Sequence, residues 1–219
     1  MATAPSSAPR LLVGLGNPGG EYSETRHNAG FWFCESLGRE LGVHFAFESR
    51  FHGFVAHAQG EGLRLLMPQT YMNRSGQAIG ALARFYRILP GEILIVHDEL
   101  DLPPGQLRLK FGGGLGGHNG LKDACAHLGS QDFWRLRIGI GHPGDRAEVV
   151  NYVLKPPRGD ERPLLDEAID RALVNWPAIA CGDWEKAARH LNIRPKEPKA
   201  PKEPKAPKAP PAPIGKEPS

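Results

Sequence analysis

The stretch from Leu11 to Phe31 constrains the fold of this chain more than any other. It opens with the apolar run Leu11-Leu12-Val13, which is short enough for a buried strand. A glycine-rich turn and a polar loop follow, and a 3.6-residue apolar pattern begins at about Ala29. The stretch therefore predicts a strand, a long loop and a helix, in that order. Loops at strand ends often present functional side chains on a rigid scaffold, so we expect chemistry in this loop.

Strand-like and helix-like patterns alternate along the rest of the chain. The run Ile93-Leu94-Ile95-Val96 is continuously apolar, which is typical of a strand covered on both faces. Other strands alternate, such as 134–140, where Arg135 and Arg137 are expected on one side. The remaining strands are expected at 55–58, 64–67 and 106–111, and helices at 75–86, 120–129, 145–153, 164–179 (with a kink or end at Pro177) and 183–191. The pattern predicts a single-domain α/β fold, with a mixed β-sheet flanked by helices on both faces.

Composition sets the domain limits. Of the 219 residues, we expect 1–9 to be a disordered N-terminal lead and 10–192 to form one folded domain. Residues 193–219 are rich in Lys, Pro and Ala and are expected to be a disordered tail. No apolar run approaches the length of a membrane span, and the N-terminus lacks the apolar centre of a secretory signal. The three cysteines lack CxxC spacing. We therefore expect a cytoplasmic protein with reduced thiols.

The net charge of +3 equals the charge of residues 195–219 alone. From Pro195 onward there are six lysines and three glutamates, and the rest of the chain carries 21 basic and 21 acidic residues. A neutral body argues against a general polyanion binder but is compatible with a local basic patch. The tail lysines could add loose attraction to RNA or could simply be solvated.

The sequence motifs of common nucleotide-binding, serine-hydrolase and zinc-protease sites are either weak or missing. The run Gly14-Leu15-Gly16-Asn17-Pro18-Gly19 matches the dinucleotide pattern GxGxxG. In that motif the helix begins near the third glycine, whereas about ten residues of loop follow here. The glycine-rich loop at 112–120 lacks the Gly-Lys-Ser/Thr of a P-loop, and there is no GxSxG or HExxH. A nicotinamide oxidoreductase is thus a distant alternative, and we expect no metal site.

Polar side chains cluster in loops at or near four predicted strand ends. These side chains are Asn17, His27, Asn73, Asp98 and Asn119. Adjacent strand ends of an α/β sheet converge on one crevice, so we expect these residues to meet there. A histidine with an aspartate partner and no evident nucleophile is suited to deprotonating water, and an ordinary imidazole pKa of about 6.5 matches neutral pH.

Five ordered motifs resemble the signature stretches of bacterial-type peptidyl-tRNA hydrolases. They are 14–19 (GLGNPG), 25–30 (TRHNAG), 71–76 (YMNRSG), 97–101 (HDELD) and 116–121 (GGHNGL), with 137–143 (RIGIGHP) as a further match. The resemblance covers about 10–192 and excludes the tail. It implies hydrolysis of the ester that joins a peptide to the 3′ ribose of tRNA, which recycles tRNA from aborted translation.

The resemblance also implies roles for individual residues. His27 is the general base on water, Asp98 stabilises its proton-accepting form, and Asn17 distinguishes a blocked amino group from a free ammonium. Positions matching tRNA-end and peptide contacts are Tyr22, Tyr71, Met72, Asn73 and Asn119. Positions matching the clamp for the tRNA acceptor stem are Arg108, Lys110, Arg137 and Arg146, whose alternative role is as solvated charges on the sheet.

Two departures from the family pattern are visible. The family often has Phe at Tyr71 and Lys at Arg146, and both changes keep the expected stacking or charge. The resemblance implies a monomer without cofactor or metal. The main rival is a non-catalytic RNA-binding relative, because the same fold resembles that of chloroplast splicing cofactors. The presence of His27, Asp98 and Asn17 favours the enzyme.

Overall fold

The computed structural model describes residues 5–58 and 62–193. They contain one seven-stranded sheet with the order β2-β3-β4-β1-β5-β7-β6. Its strands are β1 Leu11–Gly14, β2 Ala46–Glu48, β3 Gly53–His57, β4 Arg64–Pro68, β5 Ile93–Glu99, β6 Leu107–Phe111 and β7 Trp134–Gly139. Strands β4, β1, β5 and β7 are parallel, and β2, β3 and β6 join the sheet through antiparallel pairs. The predicted mixed sheet is confirmed.

Helices cover both faces of the sheet, as predicted. They are α1 Ala29–Glu40, α2 Ser75–Tyr86, α3 Asn119–Leu128, α4 Val149–Val153, α5 Arg162–Val174, α6 Trp176–Ala180 and α7 Trp184–Leu191. One apolar core contains Phe33 of α1, Leu165 of α5 and Trp184 of α7, and the other contains residues of α2 and α3 such as Leu82 and Leu121. Every residue of β5 is buried, because it lies between the two cores.

Strand direction determines where polar loops can meet. The parallel strands β4, β1, β5 and β7 present their carboxyl ends at one edge of the sheet, where loops 15–28 and 69–74 begin. Strand β6 runs the other way, with Phe111 opposite Trp134 at the amino end of β7. The loop before α3 therefore starts at the far edge, which differs from the expectation that the polar loops lie at or near strand ends that converge on one crevice.

Four local features differ from the sequence-based expectation. Strand β2 was not predicted, because it has only three residues, which are exposed or partly buried, and they form no alternating apolar pattern. The helix expected at 164–179 is two helices, α5 and α6, which meet at Asn175. Arg135 is on the same face as Arg137 but is only 2% exposed. Residues 5–9, expected within a disordered lead, contact the body, where the Trp184 indole donates a hydrogen bond to the Ser7 carbonyl at 3.0 Å.

The last described residues cover part of the sheet edge formed by β6. The Asn192 side chain accepts a hydrogen bond from Leu109 N at 2.7 Å and donates one to Leu109 O at 3.2 Å, which satisfies part of edge strand β6. Residues 1–4 of the expected lead and 194–219 of the expected tail lie outside the described residues.

Candidate active site

The loop after β1 carries His27 into the crevice at the carboxyl edge of the sheet. A short 3₁₀ turn, Arg26–Asn28, leads directly into α1. The Asn28 side chain fixes the start of this loop, because its Oδ1 accepts from Asn17 N at 2.9 Å and its Nδ2 donates to Asn17 O at 3.0 Å. Asn28 therefore holds Asn17 and His27 in a fixed relation although they are ten positions apart in the chain.

Asp98 joins two histidines. Its carboxylate accepts from His27 Nδ1 at 2.9 and 3.0 Å, and from His118 Nε2 at 3.0 Å. The Nδ1 atom of His118 accepts from Leu121 N at 3.4 Å, so Nε2 is its protonated nitrogen. An ionised carboxylate only accepts, so His27 donates from Nδ1 and keeps the Nε2 lone pair for another partner.

Burial and charge tune this group. Burial alone would raise the pKa of Asp98, but His27 and His118 hold it well below its ordinary range, so the carboxylate is ionised. Burial lowers the pKa of His27, and the charge and hydrogen bond of Asp98 more than offset it, which leaves the His27 pKa above its ordinary value. His27 is therefore a stronger base than a free imidazole.

The side-chain NH₂ of Asn17 is a hydrogen-bond donor in the crevice that also contains His27. Its Oδ1 accepts from Met72 N at 2.8 Å, which fixes the orientation of the amide. Among the described residues Nδ2 donates to no protein acceptor, and Asn17 lines the crevice. An NH₂ group of this kind can donate a hydrogen bond to a carbonyl oxygen.

The crevice has a volume of about 830 Å³. Nine of the twelve predicted site residues line it, namely Asn17, Tyr22, His27, Tyr71, Met72, Asn73, Asp98, Asn119 and Arg146. Tyr22 and Tyr71 meet edge to face with ring centroids 6.4 Å apart, and Tyr71 is 59% exposed. The aromatic edges and amides are thus arranged around the His27 imidazole.

The other three predicted residues lie beside the crevice on the β6–β7 ribbon. Arg108 is directly opposite Arg137, and Lys110 is two residues further along the same face. The Arg137 guanidinium pairs with Glu99 at 2.7 Å, and Arg108 donates to the Asn192 carbonyl at 2.6 Å. These residues form a basic strip next to the crevice rather than part of its wall.

Sequence reasoning missed several crevice residues. His118 contributes to the Asp98 group, and its signal was its position next to Asn119 in a loop already selected. Lys122 and His142 also line the crevice, and helix α4 adds an apolar wall that includes Val150, which is 64% exposed. Single valines on a short helix carry no sequence signal for a binding wall.

A second cavity of about 870 Å³ lies over α1 and also contacts Asn17. It does not include His27, Asp98 or His118, so the titratable group belongs to the first crevice. His27, Asp98 and His118 have ligand atoms within 4.8 Å of one another, and within the described ranges no other such group is found. The two histidines are close to Asp98 because each forms hydrogen bonds of 2.9–3.0 Å with its carboxylate.

The fold and site together define an α/β protein with a hydrogen-bonded histidine–aspartate pair at the carboxyl edge of its parallel strands. The family model for peptidyl-tRNA hydrolase matches residues 11–201. The chain belongs to the peptidyl-tRNA hydrolase family. Its expected membership of a hydrolase family is thereby confirmed.

Individual relatives agree with this assignment. The chain is 73% identical to a peptidyl-tRNA hydrolase of Azoarcus sp. strain BH72, covering 89% of this chain and 88% of the relative. It is 74% identical to that of Aromatoleum aromaticum, covering 87% and 97%. The crystal structure of peptidyl-tRNA hydrolase from Acinetobacter baumannii matches with a TM-score of 0.82 and 47% identity, covering 88% of this chain and 97% of that one. In residues 5–58 and 62–193 no helix is long and apolar enough to cross a membrane.

Proposed function

We propose that this protein hydrolyses the ester bond between peptide and tRNA in peptidyl-tRNA, with His27 as the general base on water. The observation that carries the proposal is the His27–Asp98 pair, whose free Nε2 lone pair lies in the same crevice as the Asn17 amide. The released products are free tRNA and the peptide, so the enzyme recycles tRNA from aborted translation.

The reaction follows from this geometry. His27 Nε2 takes a proton from water while the water oxygen bonds to the ester carbonyl carbon, and the carbonyl oxygen becomes an oxyanion. The bond to the ribose oxygen then breaks, and that oxygen takes the proton back from the His27 imidazolium. Asp98 stabilises the imidazolium between these steps, because its carboxylate is ionised and accepts from Nδ1. No metal or organic cofactor has a part in this scheme.

Asn17 supplies selectivity for a blocked amino group. Its Nδ2 donates to a carbonyl of the peptide, while its Oδ1 is already occupied by Met72 N. The free ammonium of an aminoacyl-tRNA would meet a donor here and would lose its hydration without gaining an acceptor. The unblocked substrate is therefore bound poorly.

The tRNA end is held by the remaining residues. Tyr22 and Tyr71 offer faces and edges for stacking, and Met72, Asn73 and Asn119 contact the 3′ nucleotide and peptide. Arg146 in the crevice and the basic strip of Arg108, Lys110 and Arg137 neutralise acceptor-stem phosphates. We also propose that the enzyme acts as a monomer in the cytoplasm, where its substrate arises.

The test is release of acetyl-amino acid from N-acetylated aminoacyl-tRNA, with unblocked aminoacyl-tRNA as the matched substrate. We expect fast release from the blocked substrate only, unchanged by a chelator such as EDTA. Tight tRNA binding without release would instead support the RNA-binding alternative. Equal release from both substrates would contradict the role of Asn17.

A further inference from the structure

The glycine-rich loop 112–117 has to cross the face of β7. It starts after Phe111, which is opposite Trp134 at the amino end of β7. At its other end, a Cβ placed on Gly116 would lie 3.7 Å from Glu99 Oε1, at the carboxyl end of β5. The loop therefore runs from the far edge of the sheet back to the crevice.

The side chain of Arg135, on β7, forms hydrogen bonds with the first half of this loop. Its Nη1 donates to Gly114 O at 2.6 Å, and its Nη2 donates to Gly112 O. The loop backbone can turn toward these donors because Gly112 and Gly113 adopt φ of 57° and 86°, values that favour glycine. A fork of two parallel donors is specific to arginine, so the contact fixes orientation as well as distance.

The second half of the loop delivers groups to the crevice. His118 N bonds back to Leu115 O at 2.9 Å, and the His118 side chain donates to Asp98. Asn119 follows as the first residue of α3 and lines the crevice. A displaced loop would thus weaken the His118–Asp98 bond and move Asn119.

Arg135 differs from the residues of the basic strip in being buried. Arg135 is 2% exposed, whereas its neighbour Lys110 is exposed and Arg137 is partly exposed. Arg137 also lies close enough to lower the Arg135 pKa, after the larger effect of burial. A guanidinium buried under a loop is poorly accessible to a phosphate in solvent, whereas the Gly112 and Gly114 carbonyls already accept its hydrogen bonds.

We propose that Arg135 is a positioning residue for hydrolysis. It ties the Gly112 and Gly114 carbonyls to β7 and thereby keeps His118 on Asp98 and Asn119 in the crevice. The kinetic part of this inference rests on the proposed function, while the anchoring of the loop does not. Phosphate binding by Arg135 is the competing role.

The experiment compares Arg135→Gln and Arg135→Lys with Arg171→Gln. Arg171 is the matched control, because it also donates to a loop carbonyl, Gly105 O at 2.7 Å, away from the crevice. Amide hydrogen exchange of 112–119 is measured in the full-length protein, together with kcat, KM and the pH dependence of kcat on acetyl-aminoacyl-tRNA.

Arg135→Gln should speed exchange in 112–119 and lower kcat about tenfold with little change in KM. The acid limb of the kcat profile should move to higher pH, because Asp98 loses the His118 donor and attracts the His27 proton more strongly. Arg135→Lys should recover part of kcat, since one ammonium reaches one carbonyl, and Arg171→Gln should match the parent.

Three results would overturn the inference. Unchanged exchange in Arg135→Gln would show that the loop is not anchored there. Faster exchange with unchanged kcat would remove the positioning role. A rise in KM alone, with a weaker salt dependence, would identify Arg135 as a phosphate ligand. If the parent protein releases no product, the proposed function fails, and the exchange comparison still decides whether Arg135 anchors the loop.

Discussion

At the scale of the residue, one carboxylate organises the site. Asp98 is 3% exposed and accepts from both His27 and His118. The sequence predicted the His27–Asp98 pair, because a histidine and an aspartate at converging strand ends are a recognisable combination. It did not predict the second donor, since a histidine within a glycine-rich loop has no fixed direction in the sequence.

The pH dependence tests the His27–Asp98 pair. The His27 pKa lies above its ordinary value, so the neutral base is lost, and kcat should fall, as pH drops through that raised pKa. In Asp98→Asn the charge that raises the pKa is gone, so the acid limb should move to lower pH. The maximal rate should drop by about 10²–10⁴-fold. An unmoved acid limb in the variant would show that a different group titrates.

Asn17→Asp is a sharper test of selectivity than truncation. The carboxylate still accepts from Met72 N, but it replaces the Nδ2 donor with an acceptor that attracts an ammonium. The preference for blocked over free aminoacyl-tRNA should fall by roughly tenfold or more, as for the loss of one hydrogen bond of about 1.4 kcal/mol. Asn17→Ala offers neither the amide donor nor a carboxylate, so its preference for the blocked substrate should lie between those of the parent and of Asn17→Asp. Unchanged ratios of kcat/KM in both variants would refute the role of Asn17.

At the level of helices and strands, the buried strands and helix α2 were predictable, whereas edge strand β2, the break between α5 and α6 and the paths of the loops were not. The bounds of α2 and the run of β5 follow directly from their apolar patterns. The path of loop 112–117 depends on β6 running antiparallel to β7, which is a property of the whole sheet. Arg135 could not be recognised as buried for the same reason, because the loop that covers it comes from another part of the chain.

Helices α2 and α3 pack through glycine. A Cβ on Gly76 would lie 2.1 Å from Asp123 O, so Gly76→Ala should push the two helices apart. Overpacking of this kind costs about 1–3 kcal/mol, which lowers Tm by roughly 2–4 °C per kcal/mol in a chain of this size. Gly159→Ala is the control, since nothing lies within 4 Å of its Cβ position. Equal Tm values for the two variants would contradict the close packing.

At the scale of the whole molecule, the position of the basic side chains matters more than the net charge. The body has balanced charge, yet its basic side chains Arg108, Lys110 and Arg137 gather at one edge beside the crevice. Composition could not reveal this, because a local patch and a neutral total coexist. The proposed tRNA contact therefore depends on where the fold places the charges, and not on their number.

Deletion of Lys196–Ser219 tests whether the lysine-rich segment takes part in turnover. These residues follow the last described contact of the body, between Asn192 and β6. We expect kcat on acetyl-aminoacyl-tRNA to stay nearly unchanged at physiological salt, because every proposed catalytic residue lies before this segment in the sequence. A weaker salt dependence of KM would reflect fewer lysines near the phosphates. A large loss in kcat would show that the segment belongs to the active complex.

The most direct measurement is single-turnover release from acetyl-aminoacyl-tRNA by His27→Ala, with tRNA binding measured on the same preparation. We expect release to be abolished while binding stays close to that of the parent, because His27 is the proposed base and the basic strip and Arg146 are the proposed source of affinity. A His27→Ala protein that still hydrolyses the ester at a rate near that of the parent would show that His27 is not the general base.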